Sequence, residues 1–153
     1  MSALKDRLRS DLTTALKSRD ALRASTIRMV LAAISTAEVA GTTARELSDD
    51  EVLDVLGKEA KKRREAAEAF TAGDRPELAQ KERDEAAILG DYLPAALSDE
   101  EVAAIVTAAV AETGAAGEGM KAMGRVMGIV QPQVKGRADG GAVAAEVKRQ
   151  LGA

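Results

Sequence analysis

The sequence predicts an all-α protein, an N-terminal helical bundle followed by a small three-helix C-terminal domain. Three observations carry that expectation. Phe70 and Tyr92 are the only aromatic residues, while alanine, leucine, valine, glutamate and lysine or arginine dominate, a balance that favours helix over strand. Apolar residues recur every three or four positions, the period of one helix face. Ser48-Asp49-Asp50-Glu51 and Ser98-Asp99-Glu100-Glu101 each place a glutamate three residues after a serine, the capping-box pattern of a helix start. With 153 residues and 46% hydrophobic content, the chain can build one compact domain or two small ones around an aliphatic core.

Taken in order, Ser2 is the predicted cap of a first helix with Leu4, Leu8, Leu12, Ala15 and Leu16 on one stripe, running to about Lys17. Asp20 caps a second, carrying Leu22, Ile27, Val30, Leu31 and Ile34 and ending near Gly41; a loop follows to Leu47. The first capping box opens the longest helix, towards Phe70. Its Lys58, Lys61, Lys62, Arg63 and Arg64 form the densest basic run, but Glu59, Glu65 and Glu68 are interleaved. Lys61–Glu65 and Arg64–Glu68 pairs then make this a solvated face. Gly73-Asp74-Arg75-Pro76 predicts a break, with Asp74 as cap and Pro76 in the first turn of a fourth helix through Leu89 to Gly90. The apolar connector Asp91–Leu97, with Pro94 inside it, marks the domain boundary, giving domains 1–92 and 93–153.

Three short helices are predicted beyond it: Asp99 to Thr113 with Gly114 after it, Glu118 to about Val130, and Gly140 to Leu151. Met120, Met123, Met127, Val130 and Val134 would share the core face of the middle one, and Pro132 would end it. Gly124 and Gly128 cost about 1 kcal/mol each relative to alanine, which predicts close approach of another backbone there. In the turn Lys135–Gly140, Gly136 would be left-handed and Asp139 would cap the last helix.

Composition narrows the chemistry. With no cysteine and no histidine, thiol nucleophiles, disulfides, thiolate or imidazole metal ligands and the commonest general base are excluded. Neither a G-x-x-x-x-G-K-[ST] nor a G-x-G-x-x-G run occurs and no serine is flanked by glycines, so no catalytic residue, no metal site and no cofactor is assigned. The acidic triplets Asp49-Asp50-Glu51 and Asp99-Glu100-Glu101 read as first-turn acids set against the helix dipole. The N-terminus lacks the apolar run of a signal peptide and no segment is long and apolar enough to span a bilayer, so a cytoplasmic protein without membrane contact is expected.

Charge is unevenly spread. Basic residues number eight against five acidic in 1–47, eight against seventeen in 48–117, and six against three in 118–153. Any nucleic-acid contact would therefore come from a local patch. The candidates are Lys121 and Arg125, four apart on a helix, Lys135 and Arg137 flanking Gly136 in the turn, and Lys148 and Arg149 at the end of the last helix. Two readings of this set stand side by side. The cations reach RNA phosphates, with Gly136 and Gly140 letting backbone amides approach and few aromatics to stack bases, or they complement a helix end and a turn.

Tyr92-Leu93-Pro94-x-x-Leu97-Ser98-x-Glu100-Glu101, then Met123-Gly124-x-Val126-Met127-Gly128, then Lys135-Gly136-Arg137-Ala138-Asp139-Gly140-x-x-Val143 occur in that order and spacing. In this the chain resembles the YqeY family, also called the GatB/YqeY domain family, over nearly its whole length. The resemblance implies a helical bundle followed by a three-helix domain similar to the tail of the tRNA-dependent amidotransferase B subunit, which contacts tRNA. It also implies the family label of carbon–nitrogen ligase with glutamine as amido-N-donor, although the catalytic domain of that subunit has no counterpart here. The expected function is an accessory, tRNA-binding-like module for glutamyl- or aspartyl-tRNA amidation, non-catalytic alone, partnered by tRNA or an aminoacylation or amidotransferase protein rather than DNA. The alternative is a helical protein–protein adaptor without RNA contact.

Overall fold

A computed structural model describes residues 2–152. Among these, seven α-helices and one short 3₁₀ turn account for the regular structure. The chain divides into two compact units, Met1–Leu93 and Pro94–Ala153.

In the first unit α1 (Ala3–Lys17), α2 (Ala21–Glu38), α3 (Asp49–Ala72) and α4 (Pro76–Gly90) surround a core of Leu8, Ile27, Val30, Ile34, Val52, Leu56 and Leu89. The predicted caps hold at Ser2, Asp20 and Ser48, and both halves of the first capping box are present. Asp49 couples two helices. It sits in the first turn of α3, yet its Oδ1 accepts from the Ser2 hydroxyl at 2.5 Å and the Leu4 N–H at 3.1 Å, so it also satisfies the open start of α1. Lys5 is buried, and its ammonium donates to both Glu38 oxygens at 2.7 and 2.8 Å. A buried lysine tolerates its desolvation only with such a partner. Glu38 also accepts from the Leu47 N–H at 3.4 Å, which fastens the 39–48 loop. Tyr92, buried, closes the unit by donating to Asp11 at 2.5 Å, with the Arg7 guanidinium 4.6 Å from its ring centre.

Several local expectations are corrected. Helix α2 stops at Glu38, before Gly41. Asp74 does not cap α4. It is left-handed, φ 58°, at the close of α3, where the Arg75 N–H reaches back to the Phe70 carbonyl at 2.8 Å. That dihedral is incompatible with the extended backbone of an N-cap, so Arg75 holds the cap position without a side-chain bond and Pro76 starts the helix. In the basic run, Lys58, Lys61, Lys62 and Arg64 are exposed as expected. Glu59 is the carboxylate that Lys62 and Arg63 reach, at 3.2 and 2.5 Å. Arg63 itself turns inward to within 3.5 Å of the buried Glu85 on α4.

The second unit packs α5 (Asp99–Thr113), the 3₁₀ turn Gly119–Ala122, α6 (Met123–Val134) and α7 (Gly140–Leu151). Its core is aliphatic and valine-rich: Val102, Val106, Val126, Val130, Val143, Val147 and Leu151. Ser98 forms the second capping box, Gly114 ends α5 in the left-handed conformation, and Asp139 caps α7 through the Ala142 N–H at 3.0 Å.

Acid should weaken the first unit through its paired carboxylates. Arg45 donates to both oxygens of Glu51, at 2.9 and 2.5 Å, and holds that carboxyl down at about 2. The Lys5 ammonium lowers Glu38, and the Ser2 hydroxyl lowers Asp49. Each has a folded value below its unfolded one, so its contribution is complete above the unfolded value and is lost as pH falls through the folded one. Denaturant midpoints are expected to hold steady at neutral pH and to fall from about 4.5 towards about 2. Glu51→Gln should shrink that acid limb and lower the midpoint at neutral pH.

Candidate nucleic-acid interface

Successive residues of a helix are displaced by about 100°, so burying every fourth residue turns a defined stripe outward. In α6 the buried residues are Val126, Val130 and Val134, in line with Ala122 of the preceding turn. Met123 and Met127 only flank this core, and Met120 is 54% exposed, so the methionine stripe predicted as the core face is displaced by about one position. The opposite stripe carries Gly124, Arg125, Gly128 and Pro132, all exposed. A methyl group added at Gly124 or Gly128 would meet nothing within 4 Å among the described residues. The expected close backbone neighbour is therefore not found among the described residues.

Pro132 lies inside the helix and does not end it. Proline removes the bond to the carbonyl four residues back, which belongs to the exposed Gly128 and can bond water instead. Burial of Val134 pulls the last turn inward, and the helix closes with the Lys135 N–H on the Gln131 carbonyl at 3.0 Å.

The turn after α6 holds the residues that sequence reasoning singled out most strongly. Gly136 has φ 72°, as predicted. Arg137 is half-buried and works as a clamp: its carbonyl accepts from the Leu97 N–H at 2.7 Å while its Nε donates to the Ala95 carbonyl at 3.3 Å. The connector motif and the turn motif, forty residues apart in sequence, are thus fastened to each other through one residue. Nothing in the local pattern around Arg137 signals Ala95 or Leu97 as partners, because both contacts are to backbone atoms.

The remaining candidates fall at separate places. Lys121 lies in the 3₁₀ turn before α6 and Lys135 is the C-cap after it, both exposed. Arg125 is ion-paired with Glu118. Lys148 and Arg149 close α7, roughly 14 Å from its start. Arg149 donates twice to Glu146, at 2.9 and 2.5 Å, which together with Gln150 holds that carboxyl at about 2. Lys121 and Lys148 make no hydrogen bond or ion pair among the described residues. Of the candidates, Arg125, Arg137 and Arg149 are thus engaged within the chain. Lys121 and Lys135 stand at the two ends of α6, Arg125 lies within it, and Lys148 and Arg149 lie on α7.

No group of three or more Asp or Glu side chains among the described residues is placed to hold a metal ion. No helix among them is long and apolar enough to cross a membrane. The described residues form an all-helical protein of two units, the second built on a valine core with Gly124 and Gly128 exposed on α6. The family model described as Yqey-like protein matches residues 5–151, and the chain belongs to the YqeY family. It is 35% identical over 86 residues to altered inheritance of mitochondria protein 41, mitochondrial, of Meyerozyma guilliermondii, covering 56% of this chain and 44% of that protein. Proteins of the same description from Kluyveromyces lactis and Pyrenophora tritici-repentis are 33% and 30% identical, covering 65% and 96% of this chain and 55% and 80% of their own lengths. The chain thus spans about half the length of two of these relatives and four fifths of the third.

Arg137→Ala should lower the stability of the second unit by about 1 kcal/mol through loss of its side-chain bond to Ala95, read in the denaturant midpoint. Lys135→Ala should change it by less than about 0.5 kcal/mol, as an exposed substitution does. Gly124→Ala and Gly128→Ala should each raise stability, by up to about 1 kcal/mol, because the space is open and helix propensity improves.

Proposed function

We propose that the chain is an accessory module of tRNA-dependent amidation that binds tRNA through the outer face of α6 and is not catalytic alone. One observation carries this reading. Two glycines occupy an exposed helix face where alanine would fit, so about 2 kcal/mol of helix propensity is forgone without any neighbour in the unit to repay it. A bare backbone flanked by Lys121, Arg125 and Lys135 lets a sugar–phosphate strand lie close while cations reach it from either side. Stability forgone at a surface is a common mark of a working site. Recognition would follow shape and phosphate, since Tyr92 is buried and Phe70 half-buried and neither belongs to this unit. The family label of glutamine-dependent carbon–nitrogen ligase fits this reading as the activity of a partner, and the cytoplasm is its proposed location, although the relatives named above carry the word mitochondrial in their names.

A second reading, a protein–protein adaptor without RNA contact, draws on the engagement of Arg125, Arg137 and Arg149 within the chain, which leaves fewer cations for phosphates.

Bulk tRNA titrated into the full chain at two salt concentrations separates the two. The proposal expects binding whose log–log salt slope is about −2 to −4, tighter than to a length-matched duplex DNA. Lys121→Ala combined with Lys135→Ala should weaken binding about tenfold, and Gly128→Glu more, since a carboxylate on the bare face repels phosphate. Arg137→Ala is the wrong probe, because it loosens the connector. Absence of binding, or binding indifferent to these variants, would leave the adaptor reading in its place.

A further inference from the structure

Independently of the α6 face, the second unit carries a groove of opposite sign. Between the first turn of α5 and the length of α7 lies an open depression of about 520 Å³. Its apolar lining comes from Leu97, Val102, Ala138, Ala142 and Ala145. Ala142 and Ala145 are exposed on α7, where short side chains let another helix approach to the usual packing distance of about 8–10 Å. Its charged lining is Asp99, Asp139, Glu146 and Arg149. Arg149, the single cation of the lining, is already held by Glu146 through two bonds of 2.9 and 2.5 Å, and Asp139 is engaged as the cap of α7, so the acidic rim is carried by Asp99 and the exposed Glu100 beside it.

The groove is built rather than incidental. Gln150 bridges its two walls from behind: its Nε2 donates to the Ala103 carbonyl on α5 at 2.9 Å and its Oε1 accepts from the Thr107 hydroxyl at 2.9 Å. The Leu97 N–H bond to the Arg137 carbonyl fixes the end at which the connector enters α5. An acidic rim repels phosphate, which disfavours nucleic acid here, and an open groove floored by exposed alanines suits side chains projecting from a helix.

We propose that this α5–α7 groove docks a cationic amphipathic helix of a partner protein, its apolar side chains on the alanine floor and its lysines or arginines against Asp99 and Glu100. The unit would then hold nucleic acid on one face and protein on another. Charge complementarity sets the register, and the alanines set the depth.

The test is titration of the isotope-labelled full chain with a short helical leucine–lysine peptide and with the matching leucine–glutamate peptide, followed by backbone amide shifts. Expected are saturable shifts at Asp99, Val102, Ala142 and Ala145 with the lysine peptide, none with the glutamate peptide, and about tenfold weaker binding for Ala145→Arg. Asp99→Lys, which leaves the floor and the Ser98 cap in place, should weaken binding similarly, and circular dichroism should find both variants folded. Equal response to the two peptides, shifts centred elsewhere, or no saturable shift would overturn the proposal. So would affinity unchanged by both variants, or self-association that Ala145→Arg abolishes, since the occupant would then be a second copy. Each result is independent of tRNA binding, so this groove and the α6 face stand or fall separately.

Discussion

The second unit depends on one constraint: α6 must turn a valine inward at every fourth position. Val126, Val130 and Val134 meet that demand, and Ala122 extends the line into the turn before them. Everything else on the helix is placed by it. Gly124, Gly128 and Pro132 face water because they lie opposite the valines, and the helix continues past its proline because Val134 gains more by burial than the lost bond costs. Burying a valine side chain is worth about 1.5–3 kcal/mol, whereas the carbonyl orphaned by Pro132 is exposed and water can satisfy it. The same rotation removes Met120 from the core and leaves it on the surface.

The first unit solves a different problem, the fastening of helix ends without aromatic bulk. Asp49, Glu38 and Glu51 each tie a loop or a helix start to a neighbouring element, and each carboxyl is held below its ordinary range by its donors. Buried charge is tolerated only where paired, and Lys5 with Glu38, and Arg63 with Glu59 and Glu85, are the pairs that allow α1 and α3 to turn charged residues inward. Tyr92 does for the end of the unit what these pairs do for its interior. Its hydroxyl is bonded to Asp11, and burial with that neighbouring carboxylate drives its ionisation well above the ordinary tyrosine range.

The distribution of charge over the second unit bears on what it can bind. Half of the cations visible in its sequence are arginines, and Arg125, Arg137 and Arg149 all have partners inside the chain. Arg137 illustrates the consequence. It stands at the centre of the most specific motif in the sequence, and its work in the structure is to hold the connector in register with the turn. A basic residue in a distinctive motif is therefore evidence of position before it is evidence of binding.

Much of the fold was legible because helix starts are local events. Ser48 and Ser98 announce themselves through a glutamate three residues away, and Gly114 and Gly136 through the need for a left-handed residue at a helix end. Family membership was legible for a related reason, since the motifs that carry it are runs of adjacent residues. Asp74 misled because aspartate serves both as an N-cap and as a left-handed residue, and only the closure of α3 selects between them. Of the predicted methionine–valine stripe, Val130 and Val134 are buried, Met123 and Met127 pack against the core and Met120 is exposed, since the choice of inward face belongs to the surfaces of α5 and α7. The sequence by itself determined the all-helical class, the caps and the family. Tertiary structure alone decided which face of α6 is bare, which arginines are engaged and where an acidic groove opens, because each depends on atoms far apart in the chain that only packing brings together.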